Sequence, residues 1–196
     1  MADLLVPRKE YLSAGAHIGL NVKTADMKKF IFKIRPDGLA VLDINIIDNR
    51  IRAAAKLIAN SENVLVVSRK ENAFKAIDSF SKAVDVRAIT GRFMPGSLTN
   101  PDSDDFFEPD VVVVTDPMVD KQVIKEAVQM RIPVIALVDT FNILSYIDLA
   151  IPCNNKGRES IGLVYYLMAK QVLKERGKDG KIDKKDFMPK EEKEKQ

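Results

Sequence analysis

A glycine-containing loop at residues 91–100 comes nearer to a known chemical motif than any other segment of this chain. A phosphate-binding P-loop reads Gly, four variable residues, Gly, Lys and then Ser or Thr, and its lysine reaches the β- and γ-phosphates of a nucleotide. Gly91 and Gly96 have the required spacing, but Ser97 stands where the lysine should be. The loop retains one arginine, Arg92, beside an aromatic residue, and this composition favours docking on a larger surface over nucleotide chemistry.

One histidine and one cysteine are further candidates for catalysis. His17 is the sole imidazole available as a general base, and its glycine-flanked segment is more typical of a packed or backbone-bonded role. A nucleophilic Cys153 paired with His17 is conceivable, although no sequence signature links them. One cysteine excludes an intrachain disulfide, and with one histidine it cannot supply a structural zinc site. The acidic run at residues 102–110 fails as an EF-hand, because Phe107 stands where that loop needs glycine. No metal and no cofactor are expected.

Polar residues follow three apolar runs, at 64–67, 111–114 and 134–138. They are Ser68, Thr115, Asp116, Asp139 and Thr140. In open α/β sheets, small ligands bind at the carboxyl ends of the strands. Such residues also end strands and cap helices, and this structural role is the favoured interpretation. No Gly-x-Gly-x-x-Gly string is present, so a dinucleotide site is excluded.

The apolar runs also predict the fold. Strands that are apolar on both faces are typical of parallel sheets covered on both sides, and residues 149–152 add a last strand. Helical spacing recurs over residues 48–60 and 117–130, with Asp116 followed by Pro117 as the expected helix start, and a long helix is expected from residue 158 through Arg176. We expect one α/β domain over residues 1–176, with a mainly parallel central sheet, helices on both faces and right-handed connections.

Two segments depart from the strand–helix alternation. Apolar stretches flank the turn sequence Pro-Asp-Gly at residues 36–38, which predicts a hairpin within residues 29–43. Alternation there places Phe30, Phe32 and Ile34 on one face and Lys29, Lys33 and Arg35 on the other. Residues 177–196 are rich in Lys, Glu and Asp, and we expect a charged tail that is disordered alone.

Cations define the candidate RNA-binding residues. The basic stripe around the hairpin consists of Lys23, Lys28, Lys29, Lys33 and Arg35. Cations of this kind neutralise phosphates, and the interleaved aromatic residues either pack beneath them or stack on bases. A second set, Lys156 and Arg158, opens the long helix, where backbone amides and cations suit an anion. Arg92 of the glycine-containing loop completes the candidates. From composition alone, an ordinary solvated rim is an equally good interpretation of these charges.

The acidic run at residues 102–110 has the opposite charge. Its members are Asp102, Asp104, Asp105, Glu108 and Asp110. The run repels a polyanion and could attract a basic protein, while an ordinary solvated loop is an equally good interpretation.

Composition adds limits on location. The chain has 196 residues and a formal net charge of +3. No apolar run approaches the roughly 18 residues that span a bilayer, and the first residues lack the apolar stretch of a signal peptide. We expect a soluble cytoplasmic protein with no membrane partner.

Four strings, at residues 14–19, 91–100, 108–117 and 150–158, together resemble the family of universal small-subunit ribosomal protein two, in its archaeal and eukaryotic form. They occur in order and at consistent spacing, and the resemblance extends from about residue 6 to Arg176. The resemblance implies a flavodoxin-like three-layer fold and a structural, non-catalytic role in the small ribosomal subunit. It also implies a ribosome-bound location, with ribosomal RNA and neighbouring ribosomal proteins as partners and no small-molecule substrate.

Individual residues follow the resemblance unevenly. The loop at Arg92 and the Asn-Asn-Lys-Gly string at Lys156 match motifs of the family, whereas the stripe around Lys28 and Lys29 matches less tightly. The chain departs from the family in lacking the long helical hairpin of the bacterial form and the acidic, tryptophan-bearing tail of the eukaryotic form, so contacts made by those segments do not transfer.

Two other functional classes remain open from the residues alone. One is an enzyme or regulator that binds a small molecule at the strand ends around Ser68, Asp116 and Asp139. The other is a protein-interaction module that works off the ribosome through the acidic run.

Overall fold

A computed structural model describes residues 4–178, 180 and 182–189. Its elements, in chain order, are α1 (Arg8–Ser13), a 3-10 turn (Lys28–Phe30), β1 (Ile31–Ile34), β2 (Ala40–Leu42), α2 (Ile44–Asn60), β3 (Val64–Ser68), α3 (Glu71–Val84), β4 (Arg87–Thr90), β5 (Val111–Val114), α4 (Lys121–Gln129), β6 (Val134–Val138), β7 (Leu149–Pro152), α5 (Arg158–Glu175) and α6 (Lys184–Phe187).

The central sheet is parallel and has the order β4-β3-β5-β6-β7. Counted from the first strand of this sheet, the order is 2-1-3-4-5, which is the flavodoxin-like order. The expected fold class is therefore confirmed. The chain reverses its direction of travel across the sheet between β3 and β5, and the carboxyl ends of these strands form the edge where flavodoxin-like proteins bind ligands.

Burial explains why these runs form strands. Every residue of β3, β5 and β6 is buried, as expected for strands covered on both faces. Val is the most frequent residue in these strands, and β-branched side chains pack well on a pleated surface. The three short apolar runs are thus confirmed as strands covered on both faces.

The helices cover the sheet from two sides. The connection through α3 leads from β3 outward to β4, whereas the connection through α4 leads the opposite way, from β5 to β6. Because such crossovers are right-handed in nearly all proteins, α3 and α4 lie on opposite faces. Helix α5 packs between α2 and α3, and its Tyr165 meets Phe80 of α3 edge-on, with ring centroids 5.4 Å apart.

The expected hairpin is present as the antiparallel pair β1–β2, and its turn contains Gly38 at φ 85°. The expected row of three apolar side chains is divided. Phe30 lies in the 3-10 turn and is buried, whereas Phe32 and Ile34 remain 63% and 57% exposed. Only the latter two share an open face of the strand.

The segment before the hairpin ties it to the carboxyl edge of the sheet. Leu20 donates its backbone N–H to Oγ1 of Thr140 at 2.9 Å, and the hydroxyl of Thr24 donates to the carbonyl of Asn142 at 2.7 Å. Gly19 lies so close that an added Cβ would stand 2.4 Å from Cγ2 of Thr140. The basic hairpin and the strand ends are therefore neighbours in the fold.

The structure differs from the sequence expectations at α4. The expected start at Asp116 and Pro117 is wrong, because α4 begins at Lys121 after Asp120. The Asp116 carboxylate still accepts a backbone N–H, from Met118, but it closes a turn that precedes the helix.

Part of the expected disordered tail is ordered in the structure. Within residues 177–196, α6 packs on α3 and α5 and buries Phe187 to 2% exposure. Residues 179, 181 and 190–196 lie outside the described part of the chain.

Candidate nucleic-acid interface

The carboxyl edge of the sheet is filled by an internal polar network centred on Asp116. Nζ of Lys70, just after β3, lies 2.5 Å from Oδ2 of Asp116, and the side-chain amide of Asn142 donates to Oδ1 at 3.0 Å. Lys70 also donates to the carbonyl of Asn155 at 3.0 Å, and the side-chain amide of Asn155 donates to Oδ1 of Asn142 at 3.1 Å. These residues satisfy one another, which leaves the Asp116 carboxylate engaged on both oxygens.

The neighbouring strand-end residues are also occupied by internal contacts. Oδ1 of Asp139 accepts the backbone N–H of Thr140 at 2.6 Å, and Oδ1 of Asp120 accepts that of Arg69 at 3.0 Å. Burial raises the pKa of Asp120 to about 6 and raises the pKa of Asp139 as well. The hydroxyl of Thr115 pairs with that of Tyr165 at 2.9 Å. These partners favour the structural interpretation of the strand-end residues.

The loop that resembles a P-loop binds a carboxylate of its own chain. Oε1 of Glu126, on α4, accepts the N–H of Gly96 at 2.9 Å, and Oε2 accepts the N–H of Leu98 at 3.2 Å. Glu126 is 4% exposed, so this anion is held inside the fold. Ser97, at the lysine position of the motif, is buried and donates its hydroxyl to the carbonyl of Met94 at 2.7 Å. In a P-loop such amides hold phosphate, and here a protein carboxylate takes that place.

Cys153 and His17 lack the features of a nucleophile and its base. Cys153 is fully buried, and burial raises the pKa of its thiol, whereas reactive cysteines have lowered pKa values and partial exposure. His17 is 6% exposed, and burial, followed by the nearby charges of Arg35 and Arg8, lowers its pKa. Its Nδ1 has no hydrogen-bond partner within the described residues. The expected packed role of His17 agrees with this burial.

The cations of the basic stripe divide into one structural residue and four surface residues. Nζ of Lys23 donates to the carbonyls of Asn21 and Gly38, at 2.9 and 3.0 Å, so this side chain braces the hairpin. The exposed members are Lys28, Lys29, Lys33 and Arg35. Nζ of Lys29 lies 5.1 Å from the centre of the Phe30 ring, so Phe30 packs beneath the cation, whereas the exposed ring of Phe32 is free to stack on a base.

Lys156 and Arg158 lie together beside the first turn of α3. The side-chain amide of Asn72 donates to the carbonyl of Lys156 at 3.0 Å, and its oxygen accepts Nε of Arg158 at 2.9 Å. Nζ of Lys156 stands 4.8 Å from the centre of the Phe141 ring. Both cations are exposed, and this cluster combines charge with an aromatic face.

Arg92 belongs to a second cluster that sequence reasoning missed. It lines a groove with Arg69, which follows β3, and Lys121, which opens α4, and all three side chains are exposed. Arg69, Lys121 and the aromatic partner Phe141 are far apart in sequence. Each comes soon after a strand, and strand order brings them to one edge, so the position after a strand was the one signal that could have found them.

The described residues contain no group of three or more His, Cys, Asp or Glu arranged to hold a metal ion. Among those same residues, no helix has both the length and the apolar character needed to cross a membrane.

Comparison with known proteins identifies the family. The model of the family described as "Ribosomal protein S2" matches residues 11–104 and 103–175, which is most of the chain. The chain belongs to the ribosomal protein S2 family. The resemblance seen in the four sequence strings is confirmed by this match.

Two curated members of the ribosomal protein S2 family are each 51% identical to the chain. Both carry the name "Small ribosomal subunit protein uS2". The one from Korarchaeum cryptofilum (strain OPF8) aligns over 89% of this chain and 81% of its own length. The one from Haloquadratum walsbyi (strain DSM 16790 / HBSQ001) aligns over 91% of this chain and 64% of its own length. Both organisms are archaea, in agreement with the archaeal and eukaryotic type of the sequence strings.

Proposed function

We propose that this protein is a structural constituent of the small ribosomal subunit, where it binds ribosomal RNA and neighbouring ribosomal proteins. The observation that carries the proposal is membership of the ribosomal protein S2 family, with relatives named as small-subunit proteins at 51% identity. A cytoplasmic, ribosome-bound location follows from this role. The protein takes part in subunit assembly and translation by docking.

The internal contacts of the carboxyl edge support a non-enzymatic role. In this fold the edge is where a small ligand binds, but here Lys70 pairs with Asp116 and Glu126 takes the amides of the glycine-containing loop. A nucleotide would have to displace two buried anions from satisfied sites, and burying polar groups without partners is costly. In this proposal the fold serves as a rigid scaffold.

Exposed cations at the same edge supply the RNA contact in this proposal. The carboxyl-edge cations are Arg69, Arg92, Lys121, Lys156 and Arg158. The hairpin cations, defined as Lys28, Lys29, Lys33 and Arg35, flank this edge, because the segment before the hairpin binds Thr140 and Asn142. Lys23 acts indirectly, by bracing the hairpin. Cations spread over a rigid surface fit folded RNA, which is read by shape and backbone charge.

Charge reversal tests which cations bind RNA. One variant carries Arg92→Glu and Lys156→Glu, a second carries Lys28→Glu and Lys33→Glu, and a control carries Lys56→Glu and Lys170→Glu, on the exposed sides of α2 and α5. All three change the charge equally. Each variant competes with wild-type protein for incorporation into the small subunit. We expect incorporation of the first two variants to fall at least tenfold and that of the control to stay unchanged.

Circular dichroism and thermal unfolding confirm that each variant is folded before incorporation is compared. An equal loss of incorporation in all three variants would show a general effect of net charge. The RNA contact could then not be assigned to these residues. Wild-type incorporation of the first two would refute the cationic contact.

A further inference from the structure

Strand β4 forms one edge of the central sheet and pairs with β3 alone. The N–H of Gly91 donates to the carbonyl of Ser68 at 2.8 Å, which continues the ladder beyond the strand. Since the backbone groups of alternate residues point to the same side of a strand, Arg87 and Ile89 also face β3. The backbone groups of the residues between them face away from the sheet.

The outward side of β4 has unused hydrogen-bonding groups. Val86, just before the strand, is satisfied by Ser81, which accepts its N–H at 3.2 Å and donates a hydroxyl to its carbonyl at 2.6 Å. Within the described residues, the outward N–H and C=O groups of Ala88 and Thr90 have no partner. Two donors and two acceptors therefore stand in a row, about 7 Å apart along the strand.

No further strand pairs with this edge within the part of the chain that the structure describes. Arg87 and Thr90 are exposed and the two residues between them are half-buried, in contrast with the fully buried β3 beside them. An open edge with free backbone groups is a template for an added strand, and proteins usually cover, charge or shorten such edges. Addition of an extended segment to an edge is a common mode of protein recognition.

The loop beside this edge is acidic. Phe107 lies 4.8 Å below the guanidinium of Arg87 on β4, so the loop that carries the acidic run passes against the strand. Asp110 has a structural role, because its carboxylate accepts the N–H groups of Glu62 and Asn63 at 2.9 and 2.8 Å. The other four acids are exposed and form no ion pair with the described residues: Asp102, Asp104, Asp105 and Glu108.

We propose that the open edge of β4 receives an extended, basic segment of a neighbouring small-subunit protein, which adds a sixth strand to the sheet. Backbone pairing with Ala88 and Thr90 fixes the register of the segment, and its cations meet the exposed acids of the 102–108 loop. The same acids repel RNA, which favours a protein partner on this side. This inference rests on the proposed function, because the ribosome supplies the partner.

Photo-crosslinking within the assembled subunit tests the proposal. A benzophenone amino acid replaces Arg87, and full-length protein is incorporated into small subunits before irradiation. The backbone variant is Thr90→Pro, which removes the outward N–H while leaving the ladder to β3 intact, since proline is tolerated on edge strands. Thr90→Val is its control, because it keeps that N–H.

The expected product is a crosslink to a lysine- and arginine-rich segment of a small-subunit protein. Thr90→Pro should reduce the crosslink yield, normalised to the amount of subunit-bound protein, at least tenfold. Thr90→Val should leave this yield unchanged. Crosslinks to RNA, no crosslink, or a crosslink insensitive to Thr90→Pro would each overturn the proposal. If wild-type protein is missing from the subunit, the proposed function fails too, whereas a subunit-bound protein without the crosslink refutes this inference alone.

The charge of the partner is tested separately. Asp104→Lys with Asp105→Lys should reduce the crosslink about tenfold, because a basic segment is then repelled. Glu71→Lys with Asp78→Lys makes the same change in charge on the exposed side of α3 and should have no effect. An unchanged crosslink in the loop variant would contradict a basic partner.

Discussion

The ammonium of Lys70 lies 2.5 Å from Oδ2 of Asp116, at the sheet edge where flavodoxin-like proteins bind their ligands. The side chains of Lys70 and Asp116 are 17% and 2% exposed, so the pair is largely removed from water. In another protein, such a lysine and carboxylate could form part of a nucleotide site. In this fold they form an internal ion pair that links β3 to β5. This rigid edge presents the exposed cations that surround it.

Removal of one partner should therefore cost stability. Lys70→Ala leaves the Asp116 carboxylate buried without its cation, and we expect the free energy of unfolding to fall by about 3 kcal/mol. Urea denaturation at neutral pH measures the change. Lys56→Ala, at an exposed position of α2, is the control and should stay within about 0.5 kcal/mol of wild type. Equal stability of the two variants would mean that the pair contributes nothing.

The Glu126 carboxylate should be equally important for the glycine-containing loop. Glu126→Ala removes the acceptor of the Gly96 and Leu98 amides, and unsatisfied buried amides cost about 1–3 kcal/mol each. We expect the free energy of unfolding, measured by urea denaturation, to fall by about 2–3 kcal/mol. The amide hydrogens of Gly96 and Leu98 should exchange faster with solvent. Lys125→Ala, the exposed neighbour on α4, should change neither quantity. Unaltered exchange at Gly96 in the Glu126→Ala variant would contradict this role.

Asp120 should make stability depend on pH. Its pKa is raised to about 6 by burial, above the ordinary value of 3.8, so the folded state binds a proton that the unfolded state has released between these two pH values. Its contribution is therefore greatest below pH 3.8 and is lost as the pH rises through 6. Asp120→Asn should remove this pH dependence. The free energy of unfolding of the variant minus that of wild type should therefore increase by about 1–3 kcal/mol as the pH rises from 4.5 to 7.5.

Comparison of the two proteins at each pH cancels the titration of other groups. His17 acts in the opposite direction, because its lowered pKa makes stability fall as the pH falls below 6.5. A difference between Asp120→Asn and wild type that is constant with pH would show that Asp120 titrates normally.

The close approach of Gly19 to Thr140 should fix the hairpin on the sheet edge. Gly19→Ala places a Cβ 2.4 Å from Cγ2 of Thr140, and such overpacking costs about 1–3 kcal/mol. Thr140→Ser removes that methyl group and keeps the hydroxyl that accepts from Leu20. The double variant should recover a substantial part of the lost stability in thermal unfolding. Additive losses in the double variant would contradict the steric explanation.

The sequence predicted the sheet because continuous apolar runs indicate strands that are buried on both faces. The runs at β3, β5 and β6 are apolar on both faces. The Pro-Asp-Gly turn sequence predicts the hairpin. Strand β4 was not predicted, because it lies at the edge of the sheet and has only two apolar residues, Ala88 and Ile89, so it shows no long apolar run. Helix α6 was missed for a similar reason, since one buried residue, Phe187, anchors an otherwise charged segment.

The candidate site was only partly predictable. Arg92, Lys156 and Arg158 carry local signals, and the structure places all three at the carboxyl edge. Arg69 and Lys121 join them through strand order, which no local pattern contains. The use of Glu126 as the anion of the glycine-containing loop depends on a contact 30 residues away in sequence, so it too required the structure.

Cosedimentation tests the central claim most directly. Tagged protein in its native lysate is separated on sucrose gradients at low and at high salt, and its position is compared with that of the small subunit. We predict comigration with the small subunit at low salt and release at high salt, because in our proposal exposed cations provide the contact and salt screens them. Recovery at the top of the gradient at every salt concentration would contradict a ribosomal role.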